Sequence, residues 1–141
     1  MRAIGIDFGT KVIGLAITNT EKTIVTPLQQ FIYHKNDLVS CAINLKKKCL
    51  RYGDIDTCVI GYPLYKSGDK SPMCLIIDQF KTLLPKYFPG IVIHLQDERY
   101  STLTASGLLK DAGLKSSQIK KVKDKISAAV ILESWLKNAK V

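Results

Sequence analysis

Apolar residues alternate with small or polar ones over the first eighteen positions, then recur at three- and four-residue intervals through much of the remainder, so the chain predicts strands first and helices later. In the opening strand Ala3, Gly5 and Asp7 fall on one face and Ile4, Ile6 and Phe8 on the other. Beyond a turn at Gly9, the same alternation puts Ile13, Leu15 and Ile17 on one face and Val12, Gly14, Ala16 and Thr18 on the other. The pair predicts a β-hairpin with one bulky face and one small-residue face that a helix or a ligand can approach closely. A third strand follows over 24–33 despite Pro27, a residue that suits a strand start or a sheet edge.

Helical spacing of Leu38, Ala42, Leu45 and Cys49 predicts a helix over 36–52, stopped by Gly53, with Asp37 and Lys46, Lys47 and Lys48 matching the two ends of its dipole. The short apolar run 57–61 reads as a strand buried on both faces. A second helix over 71–88 opens on Ser71-Pro72, and residues 91–96 read as another buried strand. A helix over 101–112 is capped by Ser101 and stopped at Gly113, and a last helix runs from 116 or 117 to about 138, with Ala128, Ile131, Leu132 and Trp135 on one stripe.

Three successive strands demand antiparallel pairing, whereas strands alternating with helices demand parallel crossovers. The expectation is an α/β fold of ribonuclease H-like layout, a five-stranded mixed sheet with helices on both faces. At 141 residues the chain fits a single domain, 1–141.

Charge and cysteine content narrow the chemistry. Lys and Arg number 21 against 12 Asp and Glu, a net +9 that favours an anionic partner, although a charge excess also serves solubility. Cys41, Cys49, Cys58 and Cys74 contain no Cys-x-x-Cys pair and stand apart from His34 and His94, which argues against a zinc site and for free thiols in a reducing cytoplasm. Asp7 interrupts the first apolar run before a signal-peptide core forms, and no run is long enough for a membrane span.

Asp7 is the most informative residue. A carboxylate among small and apolar residues at a strand end costs free energy unless a positive partner is brought to it, and a divalent cation is the natural guest; Asp before Phe-Gly also suits a simple turn. Asp97 and Glu98 follow the strand 91–96, and if that strand is parallel to the first, its end shares an edge with Asp7. Period-two geometry turns only one of the two toward Asp7, and the spacing leaves open which. Asp124 lies on the apolar stripe of the last helix, four residues before Ala128, among lysines that offer it a surface ion-pair role as the alternative. Three carboxylates without histidine make a hard, oxygen-only site suited to Mg²⁺ or Mn²⁺. A pair of such ions favours phosphodiester hydrolysis.

At these residues the chain resembles the YqgF family, Holliday-junction-resolvase-like proteins also described as pre-16S ribosomal RNA nucleases. The resemblance runs over nearly the whole chain. It rests on Gly5-Ile6-Asp7-Phe8-Gly9-Thr10-Lys11 with Ile13-Gly14-Leu15-Ala16, on Gly61-Tyr62-Pro63-Leu64, on Asp97-Glu98-Arg99 with Ser101-Thr102, and on residues 124–132 beginning Asp124-Lys125-Ile126-Ser127-Ala128. It implies a bacterial cytoplasmic nuclease that matures the 5′ end of 16S ribosomal RNA. Asp7, Glu98 and Asp124 would be its catalytic and metal-binding acids, and Asp97 would support them. Val12, where the family usually has a basic residue, and Tyr65, where a polar one is expected, depart from the pattern.

Thr10, Lys11 and Arg99 are candidate phosphate contacts, with a structural salt bridge the alternative for Arg99. Lys110, Lys115, Lys120, Lys121, Lys123 and Lys125 would form a basic rim around Asp124, of which Lys120, Lys121, Lys123 and Lys125 are the candidate nucleic-acid contacts. Segment 61–72 reads equally as a loop over the site or an ordinary crossover connection, and Tyr62, Tyr65 and Tyr100 as base-stacking or packing residues. The expected partner is nucleic acid, either precursor ribosomal RNA or branched DNA; the sequence leaves monomer or dimer open. Two other classes compete. Actin-like ATPases and sugar kinases carry a similar Asp-x-Gly-Thr hairpin but need two lobes, and a nonenzymatic nucleic-acid-binding module would not need to keep three acids.

Overall fold

A computed structural model describes residues 1–97 and 116–139, with side chains over 1–97 and 126–138. Five strands, β1 (Arg2–Phe8), β2 (Val12–Thr18), β3 (Val25–Ile32), β4 (Ile55–Tyr62) and β5 (Val92–Asp97), form one sheet in the order β3-β2-β1-β4-β5. The pairs β1–β2 and β2–β3 are antiparallel, whereas β1, β4 and β5 are parallel, so the sheet is mixed. Helices α1 (Leu38–Cys49) and α2 (Pro72–Leu83) make the crossovers that parallel neighbours require, and α3 (Ser116–Ala139) covers the opposite face.

The local signals act where the sequence placed them. The Asp37 carboxylate accepts from the Ser40 amide at 3.1 Å and caps α1, whose end tightens into a 3₁₀ turn before Gly53, at φ 82°, turns the chain out. Pro72 opens α2 at a position where a missing amide hydrogen costs nothing. Pro27 sits in β3, an edge strand, where the ladder tolerates it.

The two faces of the sheet carry different residues. Ile4, Ile6, Phe8, Ile13, Leu15 and Ile17 pack under α1 and α2 with Leu45, Ile77 and Phe80. On the other face Ala3, Ala16 and Val59 meet Ala128, Ala129, Ile131 and Leu132 of α3. Gly5 is what lets α3 come so near: a Cβ there would stand 2.8 Å from the Ala128 carbonyl oxygen and 2.9 Å from Leu132 Cβ. The helix crosses the sheet, with Ala128 over β1 and β2 and Trp135 against His94 of β5, ring centroids 5.0 Å apart.

One expectation is corrected and one open choice is decided. β5 is not buried on both faces: it is the last strand of the sheet, half-buried, with Val92 53% exposed, because an apolar run does not distinguish a central strand from an edge. Segment 61–72 is an ordinary connection tied to itself and to α2, through a Leu64–Lys70 bridge and a Tyr62 hydroxyl that donates to Asp78 at 2.9 Å. Tyr62 therefore packs, while Tyr65 is exposed. The helix expected over 101–112, with Tyr100 before it, lies outside the described residues.

Candidate active site

Asp7 stands one residue from the end of β1, half-buried, on the face that α3 covers. Its partner across β2 is Gly14, and on the β4 side the paired register ends one residue before it, at Ile6–Ile60. Glycine across β2 leaves the carboxylate with backbone and space where a side chain would crowd it. A Cβ on Gly14 would come within 3.4 Å of Asp7 Cβ and 3.8 Å of Ala128 Cβ. The space is a cavity of about 260 Å³ lined by Asp7, Gly9, Thr10, Lys11, Val12, Gly14 and Gln30. A larger cavity of about 490 Å³ opens at the other end of β4, around Gly53–Asp56 and Tyr87–Gly90, and neither Asp7 nor Asp97 lines it.

The hairpin turn that carries Thr10 and Lys11 is held from below. The Gly9 amide donates to the Val12 carbonyl at 2.9 Å, and a Cβ on Gly9 would sit 2.8 Å from that same oxygen, so only glycine closes the turn. The Tyr33 amide donates to the Lys11 carbonyl at 3.0 Å and its hydroxyl donates to the Gly9 carbonyl at 2.6 Å. Burial raises the Tyr33 hydroxyl above its ordinary pKa, with the neighbouring Cys41 and the Asp7 charge adding to the shift, so it stays protonated and remains a donor. Tyr33 also meets Phe8 edge-on at 5.5 Å. Sequence reading counted it only as the end of a strand.

Gln30 was missed for a different reason. Leu28 pairs with Leu15 and Phe31 with Ile13, so two residues of β3, Gln29 and Gln30, oppose the single Gly14. This is a β-bulge, a device that re-aims side chains near sites. It stands directly across Gly14 from Asp7 and turns Gln30 into the Asp7 cavity.

Of the other residues singled out, Thr10 and Lys11 line this cavity with Asp7. Asp97 closes β5 opposite Tyr62, whose ring packs under α1 and α2, which places position 97 on the face away from Asp7. Gln96, one residue earlier, is on the α3 face and donates to the Ser134 hydroxyl at 3.3 Å. Lys120, Lys121, Lys123, Asp124 and Lys125 belong to α3, with side chains outside the described residues; Asp124 lies one turn before Ala128. Glu98, Arg99, Lys110 and Lys115 lie outside the described residues.

Asp7 and Gln30 offer the cavity oxygen donors, the kind that a hard divalent cation takes. One carboxylate does not make a metal site, and among the described residues no three His, Cys, Asp or Glu side chains converge.

Residues 1–138 match the model of the RuvX family, described as Holliday junction resolvase. The chain is 40% identical over 141 residues to the "Putative pre-16S rRNA nuclease" of Ureaplasma parvum serovar 3, covering 96% of each. It is 35% identical over 139 residues to the protein of the same name from Mycoplasmopsis pulmonis, covering 98% of this chain and 94% of that one. Among solved structures it resembles the Holliday junction resolvase of fowlpox virus, with a TM-score of 0.57, 18% identity and coverage of 98% and 99%, a likeness of fold. No helix of the described residues is long and apolar enough to cross a membrane.

Proposed function

This chain belongs to the RuvX family, and on that premise we propose that it is a divalent-metal-dependent nuclease, a single ribonuclease H-like domain that hydrolyses phosphodiester bonds during 5′-end maturation of pre-16S ribosomal RNA in the cytoplasm. The observation that carries the reading is Asp7: a carboxylate opposite Gly14, in a cavity rimmed by a hydroxyl, an ammonium and an amide. Such a place accepts a cation and a phosphate together.

Asp7, Glu98 and Asp124 hold Mg²⁺ or Mn²⁺ in this reading. Position 97 falls on the face of the sheet away from Asp7, so the reading gives the role to Glu98, as the family resemblance does, and not to Asp97. Asp124 is favoured by its place about 6 Å along the helix axis from Ala128, which itself adjoins Gly14, the cross-strand partner of Asp7. When bound, such ions polarise water for attack and shield the oxygen that leaves. Lys11 and Thr10 hold a non-bridging phosphate oxygen, and Lys120, Lys121, Lys123, Lys125 and Arg99 hold flanking phosphates. Tyr33 keeps the turn fixed while they do so, and Gln30, both donor and acceptor, orients the sugar-phosphate beside the reacting bond.

The second reading is resolution of branched DNA, favoured by the family's description. One experiment separates the two: purified protein with Mn²⁺ is offered labelled precursor RNA and a four-way DNA junction side by side, with Asp7→Asn as control. Cleavage of the RNA at its 5′ flank, absent in Asp7→Asn, is expected. Cleavage of the junction alone would replace the first reading with the second, and metal-independent binding without cleavage of either would leave a nonenzymatic module.

A further inference from the structure

The basic run of α1 has not been accounted for by the site. A helix C-terminus favours lysines through its dipole, and Lys46 has a packing role besides: its ammonium donates to the Tyr87 carbonyl at 2.6 Å and stands 5.7 Å from the Phe88 ring centroid. Lys47, Lys48 and Arg51 are different. All three are exposed, and among the described residues the ion pairs are made by Lys22 with Asp56 and Lys70 with Asp78, not by them. They line a groove of about 260 Å³ with Leu28, Gln29 and Tyr52. The Arg51 guanidinium lies over the Tyr52 ring at 5.3 Å, which restrains it before any ligand arrives.

What ties this groove to the active site is the bulge. Gln29 and Gln30 are consecutive residues, one lining the cationic groove and the other the Asp7 cavity, so a polymer crossing the β3 edge passes from one to the other within a single residue of protein chain. Pro27 and the bulge both discourage pairing of a further β-strand at that edge, so an extended peptide is a poor occupant. Three exposed cations that make no ion pair among the described residues, with the Gln29 amide and an aromatic floor, suit a phosphodiester backbone instead.

We propose that the Lys47–Lys48–Arg51 groove is a second contact for the substrate strand, holding backbone phosphates of the same nucleic acid whose scissile bond lies at Asp7. The proposal rests on the nuclease reading and extends it to where the strand goes after leaving the site. The β3 edge then acts as a saddle.

The test is binding of a fluorescein-labelled single-stranded RNA of roughly 20 nucleotides, in EDTA, followed by anisotropy across salt concentrations. Each phosphate contact on a single strand contributes about 0.7 to the log–log salt slope. The variant Lys47→Gln/Lys48→Gln/Arg51→Gln should therefore have a slope shallower by about 2, so that wild type loses roughly twentyfold more affinity than the variant between about 50 and 200 mM salt. Lys81→Gln, an exposed lysine on α2, should leave the slope unchanged. Should the triple variant lose stability, Lys47→Gln alone should flatten the slope by about 0.7. Wild-type binding and cleavage with an unaltered slope in these variants would overturn the groove and leave the nuclease standing. An equal drop in Lys81→Gln would reduce the effect to bulk charge and also overturn it. Absence of RNA binding by wild type would remove both.

Discussion

The two faces of one sheet divide the work between them. Under α1 and α2 the strands present Ile4, Ile6, Phe8, Ile13, Leu15 and Ile17; under α3 the same strands present Ala3, Gly5, Asp7, Gly14 and Ala16. Full burial of each isoleucine or phenylalanine stabilises by about 1.5 to 3 kcal/mol, and an alanine by much less. The bulky face therefore holds the fold together, and the small face sacrifices that stabilisation for proximity. A helix backbone reaches the sheet at Gly5, and two residues along the same strand a carboxylate is left with room for a guest. Stability and chemistry are thus interleaved with a period of two.

Neighbouring residues on β1 put the division to its hardest test. Asp7→Asn should lower metal-dependent cleavage by roughly a thousandfold or more while the denaturation midpoint stays close to wild type, because the substitution keeps the shape of the side chain. Ile6→Ala, one residue away on the other face, should do the reverse. Its side chain is fully buried, so truncation costs about 3 kcal/mol, while activity per folded molecule is retained. Paired chevron or urea titrations with cleavage assays on both variants would expose any overlap; a stable but inactive Ile6→Ala would show that the faces are not separate.

Much of this division was legible in the sequence. Strict alternation through β1 and β2 named both faces, and the spacing of Ala128, Ile131, Leu132 and Trp135 named the apolar stripe of the last helix, but that this stripe covers the small face came only from the structure. The bulge was not legible. Leu28 and Phe31 are an odd number of residues apart yet both pack toward the α1 side, which alternation forbids and only an extra residue reconciles. Without a known partner strand, the same spacing reads as imperfect patterning, so Gln30 stayed hidden. Tyr33 was hidden because a pattern records its ring and not its hydroxyl, whose acceptor is a carbonyl 24 residues away. Spacing left open which of Asp97 and Glu98 faces Asp7; the Tyr62–Asp97 register gives the face of position 97, and Glu98 lies outside the described residues.

Changes at the contacts joining face to site should have intermediate effects. Gly5→Ala places a Cβ 2.8 Å from a carbonyl oxygen of the α3 backbone, which cannot rotate away, so the helix must shift. A stability loss of about 1 to 3 kcal/mol is expected, and cleavage should fall with it because Asp124 rides on that helix; full activity in a destabilised Gly5→Ala would detach α3 from the site. Tyr33→Phe removes one hydrogen bond to Gly9 and should cost about 1 kcal/mol. Its effect on cleavage should appear as a raised KM for the nucleic acid, since the turn it steadies carries Thr10 and Lys11.

The gentlest probe uses pH. Cys41, Cys49, Cys58 and Cys74 all belong to the bulky face, and burial pushes the Cys41 thiol up to about 12, with Asp37 adding to it, and the Cys49 thiol up to about 11. In the unfolded chain these thiols titrate from 9.0, so on raising the pH the unfolded state loses protons first and is favoured. The contribution of each thiol is whole below pH 9, declines above it, and is spent by about pH 11 for Cys49 and about pH 12 for Cys41. At pH 9 the loss is about 0.4 kcal/mol per thiol relative to neutrality. Denaturant midpoints measured at pH 7, 9 and 10 should fall progressively, and Cys41→Ala/Cys49→Ala should flatten the decline between pH 9 and 10. An unchanged decline in that double variant would mean that groups other than these two thiols of the bulky face govern alkaline stability.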